Sequence, residues 1–332
     1  MDVQLSPEAL EFGRQARRAF ELAGGDTLLR RAEHDQRLRR ELAEPVLASL
    51  GVWDLAPRLD VGELEAAAAL CRSAGYWAVP YPVAERLVRP DRGADGLVVI
   101  SERDPRGQLA GLDDFRWAAV ALDGTPGNVT VTDAEGPPRQ TAFSVRLQWQ
   151  TAATAAEQPG AGGMVGLAAD GAGARDLALG LVLPCWTLLG MLDRAVDLTR
   201  AHVLVREQFG RPLAEFQAVQ FQLTEAEVER RGVDLLARYA LCGIGSGDPG
   251  VVEDALALRL GALEAAEIVF RVAHQLHGAL GFCDESPLSW LSRYSLPLRR
   301  LPLGSAATEE LLTRRIGRRG LTGLFSGKAQ GA

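Results

Sequence analysis

Two short stretches, at residues 206–217 and 274–282, carry the side chains best suited to chemistry. The first, Arg206-Glu207-Gln208-Phe209-Gly210-Arg211-Pro212-Leu213-Ala214-Glu215-Phe216-Gln217, reads R-x-x-F-G-x-P-[L/I]-x-x-F-Q. It ends one apolar-periodic helix and opens another. A guanidinium there offers a planar fork of donors suited to phosphate. The helix start adds unpaired N–H groups and a positive dipole end, so the chemistry would be anion recognition. Read alone, R-x-x-F-G fits a helix–turn–helix joint with a solvated arginine equally well. The second stretch, His274-Gln275-Leu276-His277-Gly278-Ala279-Leu280-Gly281-Phe282, closes another long helix with a Q-x-H-G-x-x-G-F turn.

Other chemistries find little support. His274 and His277 lack a third ligand at metal spacing, so no metal site is expected. No G-x-S-x-G elbow points to a hydrolase. Net charge is −7 with both signs mixed along the chain, and no basic stripe suggests nucleic acid. Cys71, Cys185, Cys242 and Cys283 show neither C-x-x-C spacing nor a disulfide framework. They read as small apolar residues in a reducing compartment. No signal peptide is visible, and no run reaches the roughly twenty apolar residues of a membrane span. These features predict a soluble cytoplasmic protein.

At 332 residues and 47% hydrophobic, the chain can bury a sizeable core in two or three subdomains. Residues 1–94 read as a helical domain, with Ser6-Pro7 as an N-cap and first-turn pair and Glu63–Ala74 as alanine-rich helix. Tyr81-Pro82-Val83-Ala84-Glu85 looks like a further helix start. Residues 95–170 switch to a β period, with strands near Leu97–Ile100, Arg116–Leu122, Val129–Val131 and Ala142–Trp149. Asp104-Pro105-Arg106-Gly107, Asp123–Gly127 and Gly136-Pro137-Pro138 supply turns, and Gly160–Gly163 suits a flexible link. Residues 171–320 return to helix. Leu177, Leu181, Leu188, Met191, Ala195, Leu198, His202 and Val205 share one stripe, which Pro184 should kink or begin. Leu213–Cys242, Val251–Leu280 and Ser305–Ile316 complete a four-helix bundle, and residues 321–332 form a tail. The predicted fold is mainly α with a small β-subdomain.

The two stretches together resemble the C-terminal helical domain of the flavin-dependent acyl-CoA dehydrogenases. The likeness is good over residues 176–318, loose over 1–90 and poor between. In that family these elements reach across a subunit interface to the pyrophosphate and adenosine half of a neighbour's FAD. The resemblance implies that Arg206 pairs with pyrophosphate and that Phe209 packs near the adenine. It also implies that Gln208, Gln217 and Gln275 hydrogen-bond the cofactor and that Gly278 allows close backbone approach. Ala279 replaces the family's second glycine.

The same resemblance exposes a loss. The family's base, a glutamate, follows a G-F-x-x-E-x-P turn, present here as Gly281–Pro287, but Leu303 stands at the base position. A subset places its glutamate on the first bundle helix, which corresponds to Gly180, followed by Leu181. Glu264 and Glu267 read as a solvated helix face, so no catalytic residue is assigned to this chain. The family's T-E-P-x-x-G-S segment has no counterpart between Tyr81 and Gly107, and the middle region is reduced. The chain thus resembles the shortened partner subunits of heteromeric actinobacterial acyl-CoA dehydrogenases, some of which act on sterol side chains. That implies a homologous catalytic chain as partner (α2β2), FAD, and an acyl-CoA substrate dehydrogenated to its α,β-enoyl form. Two alternatives stand: a self-sufficient homo-oligomeric flavoenzyme with an unidentified base, and a cofactor-free scaffold on the same fold.

Overall fold

A computed structural model describes residues 3–34, 36–90, 93–101, 106–109, 114–131, 145–150 and 172–319. The Gly136-Pro137-Pro138 turn, the Gly160–Gly163 link and the 321–332 tail lie outside the described residues.

The N-terminal part is helical as predicted. Ser6 Oγ accepts from the Ala9 N–H at 3.3 Å, and Pro7 occupies the first turn of α1 (Pro7–Leu22). Helices α2 (Asp26–His34) and α3 (Gln36–Ser49) follow. Asp60 caps α4 (Val61–Tyr76), its Oδ1 accepting from the Glu63 N–H at 2.9 Å. A short α5 (Val83–Leu87) leads into the sheet.

That sheet has five strands in the order β1-β3-β4-β5-β2: β1 (Gly96–Ile100), β2 (Arg106–Leu109), β3 (Trp117–Ala121), β4 (Pro126–Val131) and β5 (Val145–Gln150). β1 and β3 are parallel, with Val98 opposite Ala119, and every residue of both is buried. Two-sided burial explains their unbroken apolar runs. Strand β2 takes up Arg106 and Gly107 of the predicted Asp104–Gly107 turn, whose first two residues lie outside the described residues. Arg106 and Gly107 are paired antiparallel with Gln148 and Leu147, because β5 offers them an open edge.

The C-terminal part is built on α6 (Ala172–Val205), α7 (Gln217–Ser246) and α8 (Val251–His277). Behind them come α9 (Pro287–Arg300), which the sequence reading did not mark as a helix, and α10 (Ser305–Arg319). Helix α6 runs through Pro184, which neither starts nor ends it. Its core stripe holds from Leu177 to Ala195, but Val205 is 78% exposed. By length and composition this helix could cross a membrane, yet 78% of its apolar window is buried inside the fold. It is the central core helix.

Helices α4 and α6 touch backbone to backbone. A Cβ on Gly75 would lie 1.9 Å from the Thr187 oxygen, and one on Gly190 would lie 1.9 Å from the Arg72 oxygen. Ion pairs clamp the same crossing. Arg72 reaches Asp193 at 2.7 Å and Asp234 at 2.8 Å, and Arg230 reaches Asp193 at 2.9 Å. Buried Asp176 pairs with Arg58, joining the start of α6 to the N-terminal part. The bundle is therefore a rigid frame, and its loops are positioned by it.

Candidate functional site

The segment after α6 folds as a two-residue β-hairpin. Strand β6 (Glu207–Gln208) pairs with β7 (Arg211–Pro212), Gln208 opposite Arg211. The turn residues Phe209 and Gly210 have φ of 52° and 77°. Positive φ at both central residues is the type I′ pattern that matches strand twist. Gly210 takes it freely, whereas an aromatic residue there is strained. The Phe209 ring is 91% exposed, so it is not bundle core. It lies 6.3 Å from the half-buried Phe216 ring, over which Arg211 sits at 4.1 Å. Backbone bonds from Arg206 N–H to His202 O (2.9 Å) and from Leu213 N–H to Arg206 O (2.8 Å) hold the hairpin to the helix end. The Arg206 side chain is exposed and makes no hydrogen bond or ion pair among the described residues.

The 274–282 turn comes to the same place. His202, on the last turns of α6, stacks on His277 at the end of α8, with centroids 4.4 Å apart. His277 Nδ1 lies 2.8 Å from the Ala273 carbonyl, and His274 stacks on Phe282 at 4.4 Å. Burial lowers the pKa of all three imidazoles, with nearby Arg206 adding to the effect at His202 and Arg299 at His274. Gln275 is exposed beside them, and Gln217 is exposed at the first position of α7. Gly278 has φ 60°, and a Cβ there would meet nothing within 4 Å. Leu276 is buried in the core, while Phe282 is 70% exposed. Cys283 is exposed too, unlike the buried Cys71 and Cys185.

One end of the bundle thus gathers a free guanidinium, exposed amides and outward aromatic rings. Such a surface has the chemistry to receive an anion joined to a flat ring. The sequence reading missed His202, which joins the two stretches. Its only signal was a histidine close to Arg206 on the core stripe.

The positions where the resemblance looks for a base are filled differently. Arg259 is 3% exposed in the middle of α8. It donates to the Leu303 carbonyl at 2.6 Å and to the Leu298 carbonyl at 3.3 Å. A Cβ on Gly180 would stand 2.7 Å from Val99 Cγ2, so a larger side chain there has to move the Val99 side chain aside. Between them is a cavity of about 20 Å³ lined by Glu85, Val98, Gly180, Arg259 and Leu301. That is room for a water, not a thioester. Burial pushes the Glu85 carboxyl up to about 7. Glu264 and Glu267 are exposed on the outer face of α8. A wider groove of about 820 Å³ between α1 and α7 lies away from all these residues. Its inner arginines, Arg72 and Arg230, are already paired with Asp193.

Residues 174–321 match the family described as "Acyl-CoA dehydrogenase, C-terminal domain". Over 105 residues the chain is 37% identical to 3-sulfinopropanoyl-CoA desulfinase of Paraburkholderia xenovorans, covering 32% of this chain and 26% of that protein. Over 126 residues it is 31% identical to acyl-CoA dehydrogenase FadE28 of Mycobacterium tuberculosis, covering 38% and 37% respectively. The chain therefore aligns with only 26–37% of the length of these relatives. Solved structures match along the whole chain. The ChsE4-ChsE5 complex from Mycobacterium tuberculosis gives a TM-score of 0.70 at 19% identity, covering 96% of this chain and 98% of that one. Butyryl-CoA dehydrogenase from Megasphaera elsdenii gives 0.66 at 17% identity, covering 96% and 100%. At such identities these likenesses show the fold alone: helical N-terminal part, middle sheet and helical bundle.

Proposed function

We propose, from the match of residues 174–321 to the acyl-CoA dehydrogenase C-terminal domain, that the chain is the non-catalytic partner in a heteromeric FAD enzyme. The assembly oxidises a CoA thioester to its α,β-enoyl form, on an acyl or sterol side chain. The second chain is a homologue that carries the base and most of the flavin site.

The observation that carries this reading is the contrast between the two regions. At the bundle end, Arg206, Gln208, Phe209, Gln217, Gln275 and Gly278 are all displayed outward. Around Leu303 and Gly180, where a base would stand, the space is closed by Arg259 and Val99. Residues that would serve a neighbour's cofactor are presented, and those that would serve the chain's own chemistry are gone.

The displayed residues fit the pyrophosphate and adenine half of FAD. Arg206 has an unsatisfied bidentate fork, the glutamines supply neutral donors and acceptors, and Phe209 offers a ring face. Gly278 holds a positive φ of 60° at the exposed end of α8, beside Gln275. Bound flavin would supply the hydride acceptor for the substrate's β-carbon, with the α-proton leaving to a base outside this chain. This chain's contribution is to bind and orient one half of the cofactor and to exclude water from it. None of its four cysteines forms a disulfide, in keeping with a cytoplasmic setting.

The test is flavin content of the chain alone and co-expressed with a complete homologous acyl-CoA dehydrogenase chain. The lone chain should be colourless, and the co-purified complex should carry flavin and oxidise acyl-CoA. A yellow, active lone chain would establish a self-sufficient enzyme. A complex that stays colourless would establish a scaffold.

A further inference from the structure

The groove of about 820 Å³ between α1 and α7 has α4 and α6 beneath it. Its two walls run antiparallel. Gln4, just before α1, meets Arg238 late in α7, whereas Arg17 near the end of α1 reaches Asp193 beside the earlier Arg230. The floor is made by Gly13, Ala69 and Ser73, whose small side chains leave the space open. Ser73 Oγ donates to the Gly13 carbonyl at 2.7 Å, so the floor's hydroxyl is already satisfied. The volume lies within the range of roughly 300–1,000 Å³ typical of small-molecule sites.

The chemistry of the lining is divided. Leu5 and Leu10 stand on the α1 wall toward its N-terminus, and Leu10 is 43% exposed although it lines a concave surface. Half-buried Val196 and Leu223 extend the apolar lining across α6 and α7. About 10 Å beyond Leu10 at helical rise, Arg17 lies flat on Tyr76, its guanidinium carbon 3.7 Å from the ring centroid. Stacking holds the fork in place. Its nearest carboxylate, Asp193, is 3.7 Å away, so no acid closes it at hydrogen-bond distance. Asp197 accepts from the hydroxyl of the same tyrosine at 2.9 Å, and Arg200 follows one helical turn later. Arg200 is exposed and makes no hydrogen bond or ion pair among the described residues.

Six arginines and three acids line the groove, in a chain whose net charge is −7. The local surplus opposes the sign of the whole chain, and a concave wall focuses it, so the groove is built to receive an anion. We propose that it binds an amphipathic carboxylate. The acid group is held by Arg17 and Arg200, and the apolar body lies along Val196 and Leu223 toward Leu10. A guanidinium fork matches a carboxylate bidentately. Nearby Asp197 repels a dianion more than a monoanion, which favours a carboxylate over a phosphate. Occupancy would tie α1 to the bundle, since the bound molecule touches both.

This inference does not rest on the flavin reading, because the groove shares no residue with the Arg206 end.

The test is equilibrium dialysis of labelled decanoate, below its micelle concentration, against the full chain in the assembly in which it purifies. Saturable binding of one decanoate per copy of this chain is expected, with decanol and acetate each competing at least about tenfold more weakly. Arg17→Gln and Arg200→Gln should each weaken decanoate by about tenfold. Arg200 touches no partner in its own chain, so Arg200→Gln should keep its helical circular dichroism and melting temperature. Flavin content, measured on the same samples, reports separately on the Arg206 surface and should not change. Absence of saturable decanoate binding would overturn the proposal. So would binding that Arg200→Gln leaves unchanged, or equal competition by decanol or by acetate.

Discussion

The imidazole of His202 lies face to face on that of His277, with centroids 4.4 Å apart and planes 17° from parallel. This contact binds the end of α6 to the end of α8 and makes one surface of the 206–217 and 274–282 stretches. Both rings have pKa values lowered by burial; the Arg206 charge adds to this at His202, and His202 and His274 add to it at His277. The folded state therefore binds fewer protons than the unfolded chain. Stability is full above the ordinary histidine range and is lost as pH falls below about 6.5. The melting temperature should drop between pH 7 and 5.5, and less steeply in His277→Asn. Parallel pH profiles for the two proteins would show that the stack does not govern acid sensitivity.

Arg206→Lys should not be conservative. Lysine keeps the charge but loses the bidentate fork, and such charge-assisted contacts contribute about 1.5–3 kcal/mol. That corresponds to about 10- to 150-fold in flavin affinity. Alanine should lose most of it and lysine part, with little change in folding. Flavin dissociation constants of the co-purified complexes are the measurement; unchanged binding with alanine would leave the motif as joint architecture only.

Phe209 sits at φ 52° with its ring in solvent. Asparagine tolerates that conformation better, so Phe209→Asn should raise stability by on the order of 1 kcal/mol. The same change should lower flavin content, because the ring is gone. Stability gained without flavin lost would separate the strained turn from the cofactor surface.

Glu85 has a carboxyl raised to about 7 by burial. A raised carboxylate favours folding at low pH and loses that advantage as pH climbs through its folded value. Glu85→Gln should therefore stabilise the chain at pH 8 by on the order of 1–3 kcal/mol. Turnover of the assembled enzyme should stay within a few-fold for Glu85→Gln, and likewise for Glu264→Gln and Glu267→Gln. A loss of about 10²–10⁴-fold in any of them would locate a base in this chain.

Much of this architecture could be read from residue patterns. The Ser6-Pro7 start, the α4 helix, the β period after residue 95 and the three long helices each announce themselves through caps or periodicity. The two motif stretches were legible because their glycines and aromatic residues break helical patterning at fixed spacing. Strand β2 was not, since Arg106 and Gly107 carry no strand preference and take their form from the edge of β5. Pro184 does not begin α6, because the apolar residues before it, from Leu177 on, are buried and helical. Arg259 was passed over because only the packed fold shows that its acceptors are the backbone carbonyls of Leu298 and Leu303.

A subunit that had simply dropped one glutamate could regain it by a single codon change. At position 180 a new side chain would first have to move the Val99 side chain aside. At position 303 a new glutamate would arrive next to the buried guanidinium of Arg259. That neighbour would hold it ionised and depress its basicity, the opposite of what proton abstraction needs. On the proposed reading, a base regained at either site would meet a cost set by packing, and that cost would favour continued dependence on a catalytic neighbour.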